Sequence, residues 1–273
     1  MNFMLLLLVL LAERFTRLRA RIQQDGWWQD WFRRCERPEA PWWTLLGSVL
    51  LPVLVAGLLL HQLHQLLGDL TFFCDLLIVL YSLGRGDPRA GLEPFCAAWE
   101  RGDEVVASQV ARRELGIVAR TPGELLEQLQ QRLLWQGYQG FFAVIFWYAL
   151  LGPLLPLAYR LLVLTERQTL SPLVCELCAQ LLHALDWVPV RLLAIAFAVV
   201  GNFWVLPRVI LPRLFQWRVA APQLLLQSGI MALEPQNSLR GEQGVRRLEG
   251  LWGLLSRAAM LWYVAFALGY VLF

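Results

Sequence analysis

Residues 44–67 read TLLGSVLLPVLVAGLLLHQLHQLL, and this stretch decides the fold because it contains no charged side chain. A hydrophobic run of roughly 18 or more residues with few charges indicates a transmembrane helix. Gly47, Pro52 and Gly57 are compatible with this prediction, since neighbouring helices satisfy the backbone groups that such residues free within lipid. We therefore predict a membrane span here.

The composition extends this prediction to the whole chain. Hydrophobic residues make up 58% of the 273 residues and charged residues 16%, whereas soluble domains have about 45–50% apolar and about 25% charged residues. We therefore predict an all-α polytopic membrane helical bundle with short or re-entrant helices. We expect a single membrane domain over residues 1–273, in a bacterial inner membrane whose lipid bilayer is its first partner.

Four further apolar stretches complete the predicted bundle, and they comprise residues 70–84, 137–164, 187–206 and 252–272. Gly68–Asp69 is the predicted turn into the short stretch 70–84. Gly152–Pro153 interrupts the stretch 137–164, which is therefore either one kinked span or a pair of half-helices that dip into the bilayer.

The N-terminal residues 1–12 form a short apolar run that ends at Glu13. It has no basic region before it and no Ala-x-Ala cleavage site, so we do not expect a cleaved signal peptide. As a helix it would rise about 18 Å, less than the roughly 30 Å of the hydrocarbon core. We predict a retained helix that is re-entrant, tilted or interfacial.

Arginine sets the predicted orientation. All 24 Lys or Arg residues are Arg, and segments 13–41, 85–135 and 207–251 carry seven, seven and six of them. Cytoplasmic loops of membrane proteins are enriched in basic residues, so we predict that these segments are cytoplasmic. The Arg residues are dispersed and do not form a basic clamp, so we expect no nucleic acid as a partner.

Segment 85–135 is predicted to be a helical cytoplasmic insert, because its leucines recur at helical spacing. Gly102–Asp103 separates two helical patterns. Thr121, followed by Pro122 and Glu124, has the pattern of a helix N-terminus.

Five tryptophans flank the arginines of the first polar segment, namely Trp27, Trp28, Trp31, Trp42 and Trp43. Indole rings prefer the headgroup layer of a bilayer. We therefore predict that segment 13–41 lies along the membrane surface, with these side chains as interfacial anchors and not as a ligand cage.

The clearest local signal is Asp186-Trp187-Val188-Pro189-Val190-Arg191, at the mouth of a predicted span. An acid and an Arg at a membrane boundary are costly unless they are paired or face water. Two interpretations remain open. One is a capped helix with Pro189 in its first turn and a snorkelling Arg191, and the other is an acid–guanidinium pair that lines a polar pocket.

Three other polar sites also have a structural and a functional interpretation. Arg160, which follows Tyr159, either snorkels to the interface or presents its planar fork to a phosphate or carboxylate, and the residues alone favour snorkelling. Glu13 and Arg17 are expected to form an i,i+4 ion pair. Asp75 is either a polar contact near a turn or a pocket residue.

We predict no metal site. Cys175 and Cys178 form a lone C-x-x-C motif, and a structural zinc site needs a second pair of ligands. His61 and His64 share a helix face, but two histidines alone do not hold a metal, and interfacial packing is the preferred interpretation.

The stretch Leu181–Leu192, LLHALDWVPVRL, resembles the signature of the AmpE family, inner-membrane proteins tied to β-lactamase induction. Further likeness comes from the apolar start that ends in Glu13-Arg14-Phe15, from Leu133-Leu134-Trp135, from Phe141–Trp147 and from Ala232–Pro235. The resemblance covers most of the chain. It implies a regulator of β-lactamase induction linked to cell-wall recycling.

The AmpE family is in turn similar to the CbiB/CobD membrane enzymes of cobamide biosynthesis. The matching positions are Gly102-Asp103, Arg120-Thr121, Phe146-Trp147, Gly152-Pro153, Tyr159-Arg160 and Asp186…Pro189…Arg191. The chain departs from those enzymes at Gln136-Gly137-Tyr138-Gln139 and at Leu164-Thr165-Glu166-Arg167, where they carry acidic and amide groups. This loss favours regulation over catalysis, and we assign no catalytic residue.

The two resemblances together imply a ligand-binding set, which comprises Arg120, Thr121, Tyr159, Arg160, Asp186, Trp187, Arg191 and Glu13. The implied ligand is an anionic small molecule, either a nucleotide or a muropeptide, and Mg-nucleotide is the implied cofactor if catalysis is retained. The cytosolic amidase of the same pathway, AmpD, is the implied protein partner. A nucleotide-dependent amide-forming enzyme and a muropeptide transporter are the alternatives.

One conflict remains within this set. With a single span at 137–164, the arginine count places Asp186 on the side of the membrane opposite Arg120. A re-entrant pair around Gly152–Pro153 would place both on the cytoplasmic side.

Overall fold

The computed structural model describes residues 25–83, 92–203, 211–233 and 241–272, and within these ranges the chain is helical, with no strand. Segment 1–12 and Glu13 lie outside the described residues, and so does Arg17, its predicted ion-pair partner. The predictions made for them stay predictions.

The helices follow one another with short connections. Their bounds are α1 Gly26–Cys35, α2 Pro41–Leu45, α3 Leu51–Leu67, α4 Phe72–Ser82, α5 Glu93–Glu100, α6 Glu104–Leu115, α7 Pro122–Gly137, α8 Ala143–Leu151, α9 Leu154–Gln168, α10 Pro172–Val200, α11 Leu211–Leu214, α12 Ala221–Ala232 and α13 Glu242–Leu272. A π-helical turn, Leu46–Leu50, joins α2 to α3, and a second, Tyr138–Phe142, joins α7 to α8. A 3₁₀ turn, Gly68–Thr71, precedes α4.

Three of these helices are long and apolar enough to cross a membrane, and they comprise Pro41–Leu66, Pro172–Val200 and Glu242–Gly269. The first contains most of the uncharged stretch 44–67. Only 17% of its most apolar window is buried within the chain. This helix therefore has the length, composition and exposure of a membrane span, and the prediction of an all-α membrane bundle is confirmed.

Two local predictions of helix ends are confirmed. Asp103 precedes α6, and its side chain accepts a hydrogen bond from the Val106 backbone N–H at 3.1 Å. Thr121 precedes α7, and its hydroxyl accepts from the Glu124 backbone N–H at 3.2 Å. Both side chains satisfy a backbone donor that the first turn of a helix leaves open.

The stretch 137–164 is two packed helices and not one kinked span. Gly152 ends α8 with φ +77°, a backbone conformation that favours glycine, and α9 starts two residues later. α8 and α9 then pack against each other. The structure therefore supports a pair of helices here, and that they dip into the bilayer stays a prediction.

The predicted boundary at residue 187 is wrong. α10 runs without interruption from Pro172 to Val200, so Pro189 lies inside a helix and not in its first turn. The residues from Leu173 to Leu185 form a helix readily, and packed neighbours make an internal proline tolerable in a membrane helix. The last helix likewise begins at Glu242, ten residues before the predicted start of the final span.

The chain divides into two compact units. The first comprises Met1–Arg85 and Gly140–Asp186, and the second comprises Gly86–Gln139 and Trp187–Phe273. The described part of the predicted insert contains α5, α6 and most of α7, in the second unit. That the chain is one membrane domain with a cytoplasmic insert stays a prediction.

The core of the first unit forms where α1 packs against α9. Trp28, Phe32, Leu157, Leu161 and Leu164 make up its buried cluster. Trp28 is fully buried, so its prediction as an interfacial anchor is wrong. Its side chain fills the core because it lies on the face of α1 that meets α9, whereas Trp27 is exposed.

The π-helical turn Leu46–Leu50 fixes α1 against the first span. The Trp31 indole N–H donates to the Gly47 carbonyl at 3.0 Å, and that of Trp28 donates to the Ser48 carbonyl at 3.4 Å. Gly47 permits this approach, because a Cβ there would lie 3.2 Å from Cys35 Sγ.

The second unit is built around α7, which packs against α12 and α13. Two glycines allow this contact, since a Cβ on Gly137 would lie 2.9 Å from a methyl of Leu255, and a Cβ on Gly229 would lie 2.9 Å from a methyl of Leu134. Small residues at helix contacts of this kind let backbones approach closely.

The exposed leucines of the first span predict where a charged side chain would weaken membrane insertion. Leu54, near its middle, is 57% exposed, and Leu66, at its end, is 79% exposed. We expect Leu54→Arg to weaken membrane insertion by about 2.5–3.5 kcal/mol in a translocon insertion assay, because a charge would lie at the bilayer centre. Leu66→Arg, whose side chain can snorkel to the interface, should have a much smaller effect. Equal insertion of the two variants would contradict this placement.

Candidate functional site

A buried ion pair joins α1 to α9. Arg160 Nη2 lies 3.4 Å from Asp25 Oδ2, and the two residues are 7% and 2% exposed. Arg160 is therefore held inside the first unit and does not snorkel. A buried guanidinium and carboxylate compensate each other, and removal of either one takes away part of that compensation.

A second buried carboxylate lies beside the neighbouring residue of α9. The Tyr159 hydroxyl donates to Asp186 Oδ1 at 2.8 Å, and both residues are buried. The structure thus places Tyr159 against Asp186 and Arg160 against Asp25, and all four residues are buried within the first unit.

Asp25 was missed by the sequence analysis, although it links two side chains. Its Oδ1 accepts a hydrogen bond from the Tyr81 hydroxyl at 3.3 Å while its Oδ2 faces Arg160. The available signal was indirect. Arg160 lies in an apolar run and requires a counter-charge, but segment 13–41 contains several acids and none is marked by its neighbours.

Three polar contacts follow one another along α9 and its C-cap residue Thr169. Asp25 meets Arg160, Ser48 Oγ lies 3.4 Å from Thr165 Oγ1, and the Thr169 hydroxyl donates to Glu36 Oε1 at 2.9 Å. Positions 160 and 169 are about 13 Å apart along a continuous helix. The contact of Asp25 and the contact of Glu36 are therefore more than two helical turns apart.

Arg191 is bonded inside the second unit. Its guanidinium donates to the backbone carbonyls of Trp187 and Gln216, each at 2.8 Å, and its Nε–H donates to the Leu214 carbonyl. The guanidinium carbon also lies 4.1 Å from the centre of the Trp187 ring. This side chain therefore fixes the segment after α11 to helix α10.

Arg120 and Thr121 lie at the start of α7, and both are exposed. The Arg120 backbone N–H donates to Glu124 Oε2 at 2.9 Å, so the backbone of this turn is satisfied locally. Of the three predicted arginines, Arg120 is the one whose residue is exposed, while Arg160 and Arg191 are buried.

The remaining candidates show no metal centre. Among the residues that the structure describes, no group of three or more His, Cys, Asp or Glu side chains is placed to hold a metal ion. Cys175 is exposed and Cys178 is buried, and both are free thiols. His64 Nδ1 lies 3.1 Å from Thr71 Oγ1, and His61 Nε2 lies 3.1 Å from Gln65 Nε2.

Cys35 illustrates the environment at the end of α1. Burial raises the pKa of its thiol, and the nearby positive charge of Arg37 opposes the shift. The thiol is thus less reactive than an exposed one, since the thiolate is the nucleophile.

Comparison with known proteins identifies relatives. The model of a family described as "Regulatory signalling modulator protein AmpE" matches residues 1–233. A curated protein named "Protein AmpE", from Shigella flexneri, is 30% identical over 210 residues, which cover 72% of this chain and 73% of the relative. No solved structure matches significantly.

The buried ion pair predicts strong coupling between Asp25 and Arg160. We expect Asp25→Asn and Arg160→Met each to destabilise the protein by about 3–5 kcal/mol, because each removes one member of a buried ion pair. The double variant should lose clearly less than the sum of the two. Thermal unfolding in detergent of the four proteins measures the coupling.

The matched control is an exposed ion pair on the same helix. Arg33 Nη1 lies 3.9 Å from Asp30 Oδ1, and these side chains are 76% and 71% exposed. We expect Asp30→Asn and Arg33→Met to change stability by less than about 1 kcal/mol each. A loss as large as that at Asp25 would refute the role of burial.

The Arg191 contacts predict protection of a nearby segment from proteolysis. We expect Arg191→Met to increase tryptic cleavage after Arg213 and Arg218, both exposed, because the 214–216 carbonyls lose their bonds to α10. Cleavage after Arg112, on α6, should not change. Leu192→Met is the matched control, and an equal increase in that variant would refute the prediction.

Proposed function

Because this chain belongs to the AmpE family of regulatory signalling modulator proteins, we propose that it regulates β-lactamase induction from the bacterial inner membrane. In this proposal it responds to the state of cell-wall recycling by binding an anionic small molecule. Family membership is the observation that carries the proposal.

The helices that cross the membrane support this role. The first span is mostly uncovered by protein, as expected for a helix in lipid. The arginine-rich segments 13–41, 85–135 and 207–251 place their charge at the cytoplasmic face in this proposal, where recycled cell-wall fragments and nucleotides occur.

Arg120 is the proposed first contact for the ligand. Its residue is exposed beside the N-terminus of α7, and a guanidinium presents a planar fork to phosphate or carboxylate. The buried residues Tyr159, Arg160, Asp186 and Arg191, with Trp187, act through the packing that they maintain. AmpD is the proposed cytosolic partner in the same response.

A binding experiment tests this proposal. We expect Arg120→Ala to weaken binding of a purified anhydro-muropeptide, or of Mg-ATP, by about tenfold, the effect of one charge-assisted hydrogen bond. In cells, β-lactamase activity after exposure to a β-lactam should shift towards the level of a strain that lacks the protein. Isothermal titration and a chromogenic β-lactam assay measure the two effects.

The matched control is Arg113→Ala. Arg113 is also exposed, lies on α6 of the same unit and pairs at 3.6 Å with Glu114. It should retain both binding and induction. Equal affinities of the two variants would exclude Arg120 as the contact, whereas an unchanged induction phenotype in the deletion strain would exclude the regulatory role.

The two alternatives give different results with the same preparation. Turnover of Mg-nucleotide that Asp186→Asn abolishes would favour the amide-forming enzyme, and Mg-nucleotide would then be a cofactor. Uptake of muropeptide into vesicles would favour a transporter.

A further inference from the structure

The first unit contains an apolar groove of about 530 Å³. Four helices line it, with Trp27 and Trp31 from α1, Val55 and Leu59 from α3, Leu77 from α4 and Leu161 from α9 among the lining residues. We call it the tryptophan groove. Its volume is within the range of small-molecule sites, which are also mostly apolar.

The polar groups of the lining are already bonded to the protein. The Trp31 indole N–H donates to the Gly47 carbonyl at 3.0 Å, and the Tyr81 hydroxyl donates to Asp25 at 3.3 Å. The surface of the groove therefore consists of aliphatic side chains and the faces of aromatic rings. The part of an occupant that lies inside it must be apolar.

One wall of the tryptophan groove is the lipid-facing side of the first span. Val55 and Leu59 are 47% and 59% exposed, although they lie within Pro41–Leu66. The groove residues of this helix run from Leu51 to Leu59, about 12 Å along its axis. A hydrocarbon chain in the bilayer can therefore enter the groove directly.

The face of α1 that lines the groove continues towards a positive charge. Arg34 follows Trp27 and Trp31 at i+7 and i+3, so the three side chains share one face of α1, and Arg34 is exposed. This end of α1 precedes the exposed Trp42 and Trp43, which begin the first span. Exposed indoles at the start of a span are typical of the headgroup layer.

From this arrangement, we propose that the tryptophan groove binds one acyl chain of an anionic phospholipid, whose phosphate lies against Arg34. The apolar lining holds the chain, and the guanidinium selects a headgroup with net negative charge. This site is independent of the ligand proposed for Arg120, because it lies in the other unit and binds a membrane lipid.

Native mass spectrometry of the full-length protein in detergent tests the proposal. Titration with phosphatidylglycerol should give one lipid that stays bound at collision energies that remove the rest, and phosphatidylcholine should bind about fivefold more weakly. Arg34→Gln should abolish this preference while keeping the bound chain. Arg33→Gln, which alters the arginine paired with Asp30, should keep the preference.

A second pair of variants tests the groove itself. Val55→Trp fills it and should lower retention of both lipids by about tenfold. Leu54→Trp is the control, because Leu54 is an exposed leucine of the same helix that does not line the groove. Both positions already face lipid, so neither change should disturb the core, and unfolding temperatures check this.

Four outcomes would overturn the proposal. Equal retention in Val55→Trp and Leu54→Trp would show that the lipid lies elsewhere. Retention of a polyprenyl phosphate but not of phosphatidylglycerol would show a different lipid class. A dimer that Val55→Trp dissociates would show that a second copy fills the groove. A tenfold gain in retention on deletion of residues 1–12 would show that the groove belongs to the chain's own N-terminus.

Discussion

The architecture of the first unit depends on the pairing of Asp25 with Arg160. Each charge has left water, and each compensates part of the cost of burying the other. Because Arg160 belongs to α9 and Asp25 begins α1, this pairing fixes α1 beside α9. The core of Trp28, Phe32 and Leu161 forms between the same two helices. Burial of the aromatic faces and compensation of the charges thus stabilise one arrangement, and each excludes water from the other.

Sequence reasoning found the elements that depend on local pattern. The uncharged stretch 44–67 predicted the first span, and Thr121 predicted the start of α7. Both predictions were possible because hydropathy and capping depend on residues that are close in sequence. Pro189 was misplaced because a proline within a membrane helix looks the same as one in a first turn. Only the packing around α10 distinguishes a proline inside the helix from one in its first turn. The residues next to Pro189 in the sequence do not determine that packing.

The site was only half predictable for the same reason. Arg160 and Asp186 stood out as charges in apolar surroundings, and burial confirms that they need partners. Asp25 lies 135 positions from Arg160 along the chain, so nothing local marked it. Arg191 is bonded to carbonyls of Trp187, Leu214 and Gln216. Every residue has a backbone carbonyl, so no sequence pattern could have identified these three acceptors. Trp28 was predicted to be an interfacial anchor from its residue type alone. The face of the helix on which an indole lies decides whether it is an anchor or part of the core.

These contacts separate four of the described arginines into two physical classes. Arg160 and Arg191 are buried, and their guanidinium groups bond to a carboxylate or to backbone carbonyls, so a ligand could reach them only after those bonds break. Arg120 and Arg34 are exposed, and an incoming anion would replace water and not protein at their side chains. Replacement of water costs far less than disruption of a buried pair. The recognition that we propose therefore uses the exposed class, whereas the buried class holds the helices together.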